Sequence, residues 1–271
     1  MKTKIKFSIS INIKIKQKSF GFYMDFTMEK LPENTVKLIK SGQVVSSIWS
    51  VIKELVENSI DAGATNVEVR LINFGLDCIE VKDNGLGVAA NEIPQMVEDH
   101  CTSKIKNFDD LESVQSYGFR GEALHSLCSV STLEITSKRV QDKTAKYIKF
   151  DSKLNRLKEN FVAMTNGTII RATNLFENMP VRKHYIKNSN KQKVEDLKKT
   201  EKILWSYGLI HPALRVSLNH NKESQFLKTS CDSILKACRE CFGVEISSHL
   251  RRIEYEQDHF QVEIVIGKPG K

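Results

Sequence analysis

The stretch Lys53-Glu54-Leu55-Val56-Glu57-Asn58-Ser59-Ile60-Asp61-Ala62-Gly63 decides the fold. Val44, Val45, Ile48, Val51, Ile52, Leu55 and Val56 recur at helical spacing and Gly63 follows as a C-cap-type residue, so Val44 to Asp61 reads as one long helix. At about 100° per residue, Glu54, Glu57, Asn58 and Asp61 share one helical face and the aliphatics take the other. A solvated acidic face is the ordinary account of such a pattern. Against it stands Asn58, a poor helix former one turn beyond Glu54. A carboxylate one turn from an amide oxygen suits activation of a water beside a hard cation, with the amide as a direct ligand.

Downstream, 67–72 and 78–83 alternate as strands around Asn73-Phe74-Gly75, a hairpin signal. A Gly-bearing loop runs from Asn84 to Gly87, and irregular and helical residues extend to about 116. Tyr117-Gly118-Phe119-Arg120-Gly121 punctuates the start of a helix over 121–129, and strands follow at 132–137, 145–150 and 168–173. This mixture predicts an α/β sandwich with helices on one sheet face. Pro180 marks an exit from that unit. Residues 182–202 are Lys-rich, and a helical stretch at 194–206 leads to Tyr207-Gly208 and His211-Pro212. Beyond lie a strand at Leu214–Leu218, a turn at Asn219 to Asn221, a helix over 231–242 and a strand at Gln261–Ile266. The expected organisation is a disordered basic leader at 1–27, an α/β domain at 28–205, and the start of a second, truncated α/β domain at 206–271.

Composition narrows the class. The 271 residues are 40% hydrophobic and 27% charged, close to a globular average, so fibrous and wholly disordered readings fall away. The longest run free of acidic and basic residues, Ser41–Ile52, is far short of the ~20 apolar residues of a spanning helix. Six cysteines without a signal-peptide pattern favour reduced thiols. Cys238 and Cys241 have metal-ligand spacing, but with no second pair they read as one side of a buried helix. Most of the net charge of +8 sits in the leader, where Lys2, Lys4, Lys6, Lys14, Lys16 and Lys18 oppose only Asp25. Only a local patch, such as 182–202, can then speak for a polyanionic partner.

Three further constellations carry chemistry. Asp83-Asn84-Gly85-Leu86-Gly87 ends a strand, where an Asp can accept an exocyclic amino group and glycines admit a flat ring; an ordinary turn is the alternative. Gly118-Phe119-Arg120-Gly121-Glu122-Ala123-Leu124 places two glycines at a helix start, freeing backbone N–H groups for anionic oxygens. It is neither a Walker A loop nor a dinucleotide fingerprint. Asn166-Gly167-Thr168 turns into a strand, with a hydroxyl suited to a polar pocket.

Jointly and in this order, KELVENSIDAG, DNGLG, GFRGEAL and Gly167-Thr168 resemble the GHKL ATPase superfamily of gyrase, Hsp90, histidine kinases and MutL. Glu54, Asn58 and the GFRGEAL wording narrow the resemblance to the MutL family of mismatch-repair proteins. Thr102-Ser103-Lys104 is similar to that family's lid motif. Ser41-Gly42-Gln43-Val44-Val45 and the run Leu175 to Lys183 are most similar to eukaryotic PMS-type subunits, the first mammalian paralogue above all.

The resemblance implies a GHKL (Bergerat) sandwich followed by part of a ribosomal-protein-S5-like domain, with ATP and Mg2+ as cofactors. It makes Glu54 the general base, Asn58 the magnesium ligand and Asp83 the acceptor of the adenine amino group, with Thr168 behind it. Gly87 joins the ATP-binding loop. Thr102, Ser103, Lys104, Gly118, Phe119, Arg120, Gly121, Glu122, Ala123 and Leu124 form the ATP lid. Lys104 has the alternative of a solvated lysine, and Arg120 that of holding the lid. A further lysine that reaches the γ-phosphate in this family is expected beyond Lys271. The implied function is a slowly hydrolysing ATP-driven switch in mismatch repair, in the nucleus, with an MLH-type subunit, MutS-type proteins and DNA as partners and no membrane. The alternative is a DNA- and partner-binding module with vestigial nucleotide binding.

Overall fold

Val67, Val69 and Leu71 are buried while their neighbours in β1 (Asn66–Ile72) are not, so this strand presents one face to a core and one to solvent. A computed structural model describes residues 30–104, 110, 116–118, 121–257 and 260–268. The expected leader at 1–27, Met28, Phe119, Arg120 and Lys271 lie outside the described residues. β1 joins β2 (Cys78–Asp83), β3 (Thr132–Lys138), β4 (Ala145–Phe150), β5 (Arg156–Val162), β6 (Gly167–Thr173), β7 (Arg215–His220) and β8 (Glu223–Lys228). Their order is β5-β4-β3-β6-β2-β1-β7-β8. Among the described residues, only the β1–β7 pair is parallel.

The helices α1 (Glu33–Val44), α2 (Ile48–Asp61), α3 (Ala123–Ser129), α4 (Pro180–Asn188) and α5 (Asn190–Ile210) complete the sandwich. Ile48, Ile52, Leu55 and Val56 of α2 and Leu204 of α5 share one core with Val67, Val69, Ile79, Val81, Leu133, Ile135 and Ile170 of the sheet. Across the opposite sheet face runs a lattice of ion pairs: Arg70 with Glu68 and Glu80, Arg171 with Glu80, and Lys149 with Glu134. That face therefore needs no second helical layer. Ile52 has no exposed surface, so Ile52→Ala is expected to cost about 2–5 kcal/mol through lost burial and a residual cavity. A denaturant midpoint unchanged from wild type would contradict this packing.

The long helix expected from Val44 is two helices. Ser47 adopts an extended backbone and caps α2, its hydroxyl accepting from Ser50 N at 3.3 Å while Ser50 Oγ accepts from Ser47 N at 3.2 Å. The Arg182 guanidinium fastens the junction, donating to the carbonyls of Gly42, Val45 and Ser46 at 2.6–2.8 Å. The expected boundary at 205/206 falls inside α5, and β7 and β8 beyond it extend the first sheet. Lys228 of β8 is fully buried and donates to the carbonyls of His211, Pro212 and Leu214, satisfying backbone just past the end of α5. Glu33–Lys271 accordingly cluster as one unit.

Beyond the sheet lie α6 (Ile234–Ser248) and a separate hairpin of β9 (Leu250–Gln257) and β10 (Phe260–Gly267). Cys238 and Cys241 are free and buried on α6, and burial pushes the Cys241 thiol up to about 11, as suits an apolar helix side. Among the described residues, no helix is long and apolar enough to cross a membrane.

Candidate functional site

Helix α2 is the spine of the site, because its polar residues point at three neighbouring segments. Nearest its middle, Glu54 is 41% exposed and lies 3.5 Å from Lys53 Nζ. It lines a shallow depression with Val44, Val45, Ser50, Val51, Leu55, Ala123 and Leu127, which brings it beside the end of the 118–124 stretch. Glu57, expected on a solvated face, is buried. It accepts from Tyr207 Oη at 2.5 Å and from Lys53 Nζ at 2.6 Å, tying α2 to α5. Burial first, then Glu57, holds the Tyr207 hydroxyl well above the ordinary range.

One turn on, Asn58 Oδ1 accepts from Lys104 Nζ at 2.9 Å. Lys104 also pairs with Asp61 Oδ2 at 2.5 Å, and Asp61 accepts from Tyr117 N at 3.0 Å and Gly118 N at 3.3 Å. The carboxylate of Asp61 thus gathers both ends of the 104–117 segment onto the C-terminal turn of α2. Thr102 Oγ1 accepts from Lys104 N at 3.2 Å, and Ser103 is exposed. Gly121 has φ +64, and a Cβ there would meet Cys101 O at 2.4 Å. Only glycine lets 121–124 lie against 101–104. Glu122 lies 3.8 Å from Lys40 Nζ and 3.5 Å from His100 Nδ1. The Glu122 side chain does not cap α3 at Ala123, and Leu124 packs on the core.

The third segment surrounds Asp83, at the end of β2 and buried to 8% exposure. Its Oδ1 accepts from Gly85 N at 2.9 Å and Thr168 N at 3.1 Å, and its Oδ2 from Ser59 Oγ at 3.0 Å. Burial outweighs these three bonds and raises the carboxyl above its ordinary value. Behind Asp83, Thr168 Oγ1 and Ser137 Oγ lie 2.9 Å apart, and Ser137 Oγ accepts from Val88 N at 2.8 Å. The glycines serve backbone approach here. A Cβ on Gly87 (φ +71) would sit 2.2 Å from Lys138 O, and one on Gly167 (φ +123) 2.0 Å from Asp83 O. The requirement for glycine thus comes from neighbouring strands, which press the loop and the start of β6 against Asp83.

The structure therefore brings Glu54 beside Ala123, Asn58 beside Lys104 and Gly118, and Asp83 beside Thr168. Sequence reasoning gave no role to Ser59, Asp61, Ser137 or Tyr207. Ser59 and Asp61 lay inside the decisive stretch, and a hydroxyl among buried aliphatics was a usable signal. Ser137 and Tyr207 meet the site only through long-range packing.

Comparison with known proteins gives these arrangements a family. Residues 45–184, which contain every predicted site residue, match the family described as histidine kinase-, DNA gyrase B-, and HSP90-like ATPase. Over 235 residues and 87% of this chain, it is 37% identical to human "PMS1 protein homolog 1", covering 25% of that protein. It is 32% identical over 237 residues to "DNA mismatch repair protein MutL" of Thermodesulfovibrio yellowstonii, covering 88% of this chain and 42% of that one. Among solved structures, the N-terminal domain of a DNA repair protein superposes with TM-score 0.70 at 29% identity, over 83% of this chain and 66% of that one. The Aquifex aeolicus MutL ATPase domain complexed with ADP gives 0.57 at 28%, over 76% and 71%. The chain spans about a quarter of its PMS relatives' length. It belongs to the histidine kinase-, gyrase B- and HSP90-like ATPases, and within them to the MutL family of mismatch-repair proteins as a PMS-type member.

Proposed function

We propose that this chain binds Mg·ATP along α2 and is the ATP-hydrolysing, conformationally switching part of a nuclear mismatch-repair complex. The observation that carries the reading is Asp83, a buried carboxylate held by three donors at the mouth of a glycine-lined turn. Its remaining lone pairs suit the exocyclic amino group of adenine, with Thr168 and Ser137 behind. Asn58 offers a neutral oxygen one turn from Glu54, a donor set that fits a hard divalent ion shared with phosphates. Bound Mg2+ would neutralise and polarise the phosphates. Glu54, exposed enough to reach water, takes the proton of the attacking water, while Thr102 to Lys104, Gly118 and Gly121 to Leu124 enclose the phosphates. The ADP-bound Aquifex relative supports the nucleotide part of this reading. Turnover is proposed to draw also on a phosphate-contacting lysine from the second domain expected to begin at 206.

The test is a titration with Mg2+ and a non-hydrolysable ATP analogue. Saturable one-site binding is expected, and its absence from the folded chain would overturn the proposal. Its pH dependence follows from Asp83. A protonated carboxyl cannot accept at that oxygen, so binding falls as pH drops through the raised Asp83 value, above where an exposed carboxylate would titrate. Fold stability moves the other way. Ionising Asp83 weakens the fold as pH rises from the ordinary carboxylate value through the raised one. Binding that is flat through this window would contradict the assignment.

The partners proposed are an MLH-type subunit, MutS-type proteins and duplex DNA. For DNA, Lys191, Lys198 and Lys202 recur on one exposed side of α5. Lys193 leans back onto Lys187 O, and Lys199 pairs with Glu195. Reversing Lys191, Lys193, Lys198 and Lys199 to Glu is expected to lower affinity for any duplex alike and to flatten its salt dependence. Mg·ATP binding should be untouched. The comparison belongs in a chain starting at Met28, because the leader's lysines bind polyanions themselves. Equal duplex binding at low salt would reduce α5 to a solvated helix.

A further inference from the structure

We propose that Lys104 is a resident competitor for the divalent cation at Asn58, and that Asp61 holds it there. The proposal rests on the nucleotide-binding reading and deepens it. The Lys104 ammonium donates to Asn58 Oδ1 at 2.9 Å, the oxygen assigned to the metal, and to Asp61 Oδ2 at 2.5 Å. Both side chains of the ion pair are well covered, 22% and 8% exposed, so the pair is poorly screened. A second positive centre on the same amide oxygen would lie within a few ångströms of the ammonium. Such like charges repel strongly where water is scarce. Metal on Asn58 and lysine on Asn58 are therefore alternative arrangements of one site.

Asp61 makes the alternatives cooperative. Besides Lys104, it accepts from Tyr117 N at 3.0 Å and Gly118 N at 3.3 Å. A Cβ on Gly118 would sit 3.3 Å from Lys104 Nζ, so the bare backbone there leaves the ammonium room beneath it. Tyr117 carries the link onward, its hydroxyl 2.7 Å from His211 Nε2 and its ring edge-on to Tyr207 at 5.6 Å. When a metal takes Asn58 and displaces Lys104, Asp61 loses its cationic partner. Asp61 is then left with the 117–118 amides as its donors, so the arrangement of that segment is coupled to which cation holds Asn58. The Mg2+ concentration that loads the nucleotide is thus set against an internal cation. Asp61 acts here as a positioning residue for Lys104.

The experiment has two arms, each on wild type, Lys104→Met and Asp61→Asn, with thermal melts confirming folding. The first follows amide hydrogen exchange at Tyr117 and Gly118 without added nucleotide. Protection is expected in wild type and should drop in Asp61→Asn. Unprotected amides in wild type would overturn the clasp, whatever the nucleotide does. The second measures binding of a non-hydrolysable ATP analogue across a Mg2+ titration. Both variants are expected to lower the Mg2+ needed for half-saturation, by roughly tenfold if the lysine-held arrangement dominates. An unchanged Mg2+ requirement in Lys104→Met, with or without weaker analogue binding, would overturn the proposal. If wild type shows protected amides but binds no analogue at any Mg2+ concentration, the nucleotide reading itself fails and takes the competition with it.

Discussion

Asp83→Asn is expected to abolish Mg·ATP binding while leaving the fold intact. The Asn oxygen keeps both bonds made at Oδ1, from Gly85 N and Thr168 N. On the other side its NH2 donates to Ser59 Oγ, whose own proton turns to Leu55 O, 3.1 Å away. The native state thus exchanges one hydrogen-bond pattern for another, and a buried charge disappears with its desolvation penalty. Binding has no such rescue. The same NH2 faces the adenine amino group donor to donor, at about 1–3 kcal/mol for the mispaired groups, and the charge-assisted bond at about 1.5–3 kcal/mol is gone. Together these amount to roughly 10²-fold or more in affinity. Calorimetric titration beside a thermal melt checks both halves. A folded variant with wild-type affinity would remove Asp83 from the adenine site.

Glu54→Ala is expected to separate turnover from binding. The side chain is 41% exposed and its partner in the structure is Lys53 at 3.5 Å, so truncation removes little packing and no buried bond. Its proposed work is on the attacking water, and loss of a general base typically lowers the rate ~10²–10⁴-fold with the nucleotide still held. The comparison belongs in a full-length protein, where the second domain can supply its expected lysine. Equal turnover in wild type and variant would make Glu54 a solvated helix residue.

The α/β class and the residues of α2, β2 and β6 were legible because motif, periodicity and burial agree there: the alternation in β1 and β6 is the alternation of the core. Other parts were hidden for physical reasons. β5 is an edge strand exposed at nearly every residue, so it carries no alternation to read. Ser47, which splits the long helix, competes against an apolar run that continues through Val44 and Val45 into α2. The parallel pairing of β1 with β7 joins segments nearly 150 residues apart, and nothing local in either strand encodes it. That pairing is why a boundary at 205/206 looked natural in sequence and divides a helix in space. Within the site, Asp61 was visible as one of four polar residues on a face. Its capture of Lys104, Tyr117 and Gly118 depends on the return path of the chain.

The most direct test of the central claim, that α2 and Asp83 form an adenine-nucleotide site, is an NMR-detected titration with Mg2+ and a non-hydrolysable ATP analogue. The account predicts saturable changes at the amides of Gly85 and Thr168, which bond to Asp83, and of Tyr117 and Gly118, which bond to Asp61. Changes confined to the lysines of α5, or no saturable change at Gly85 and Thr168, would contradict it.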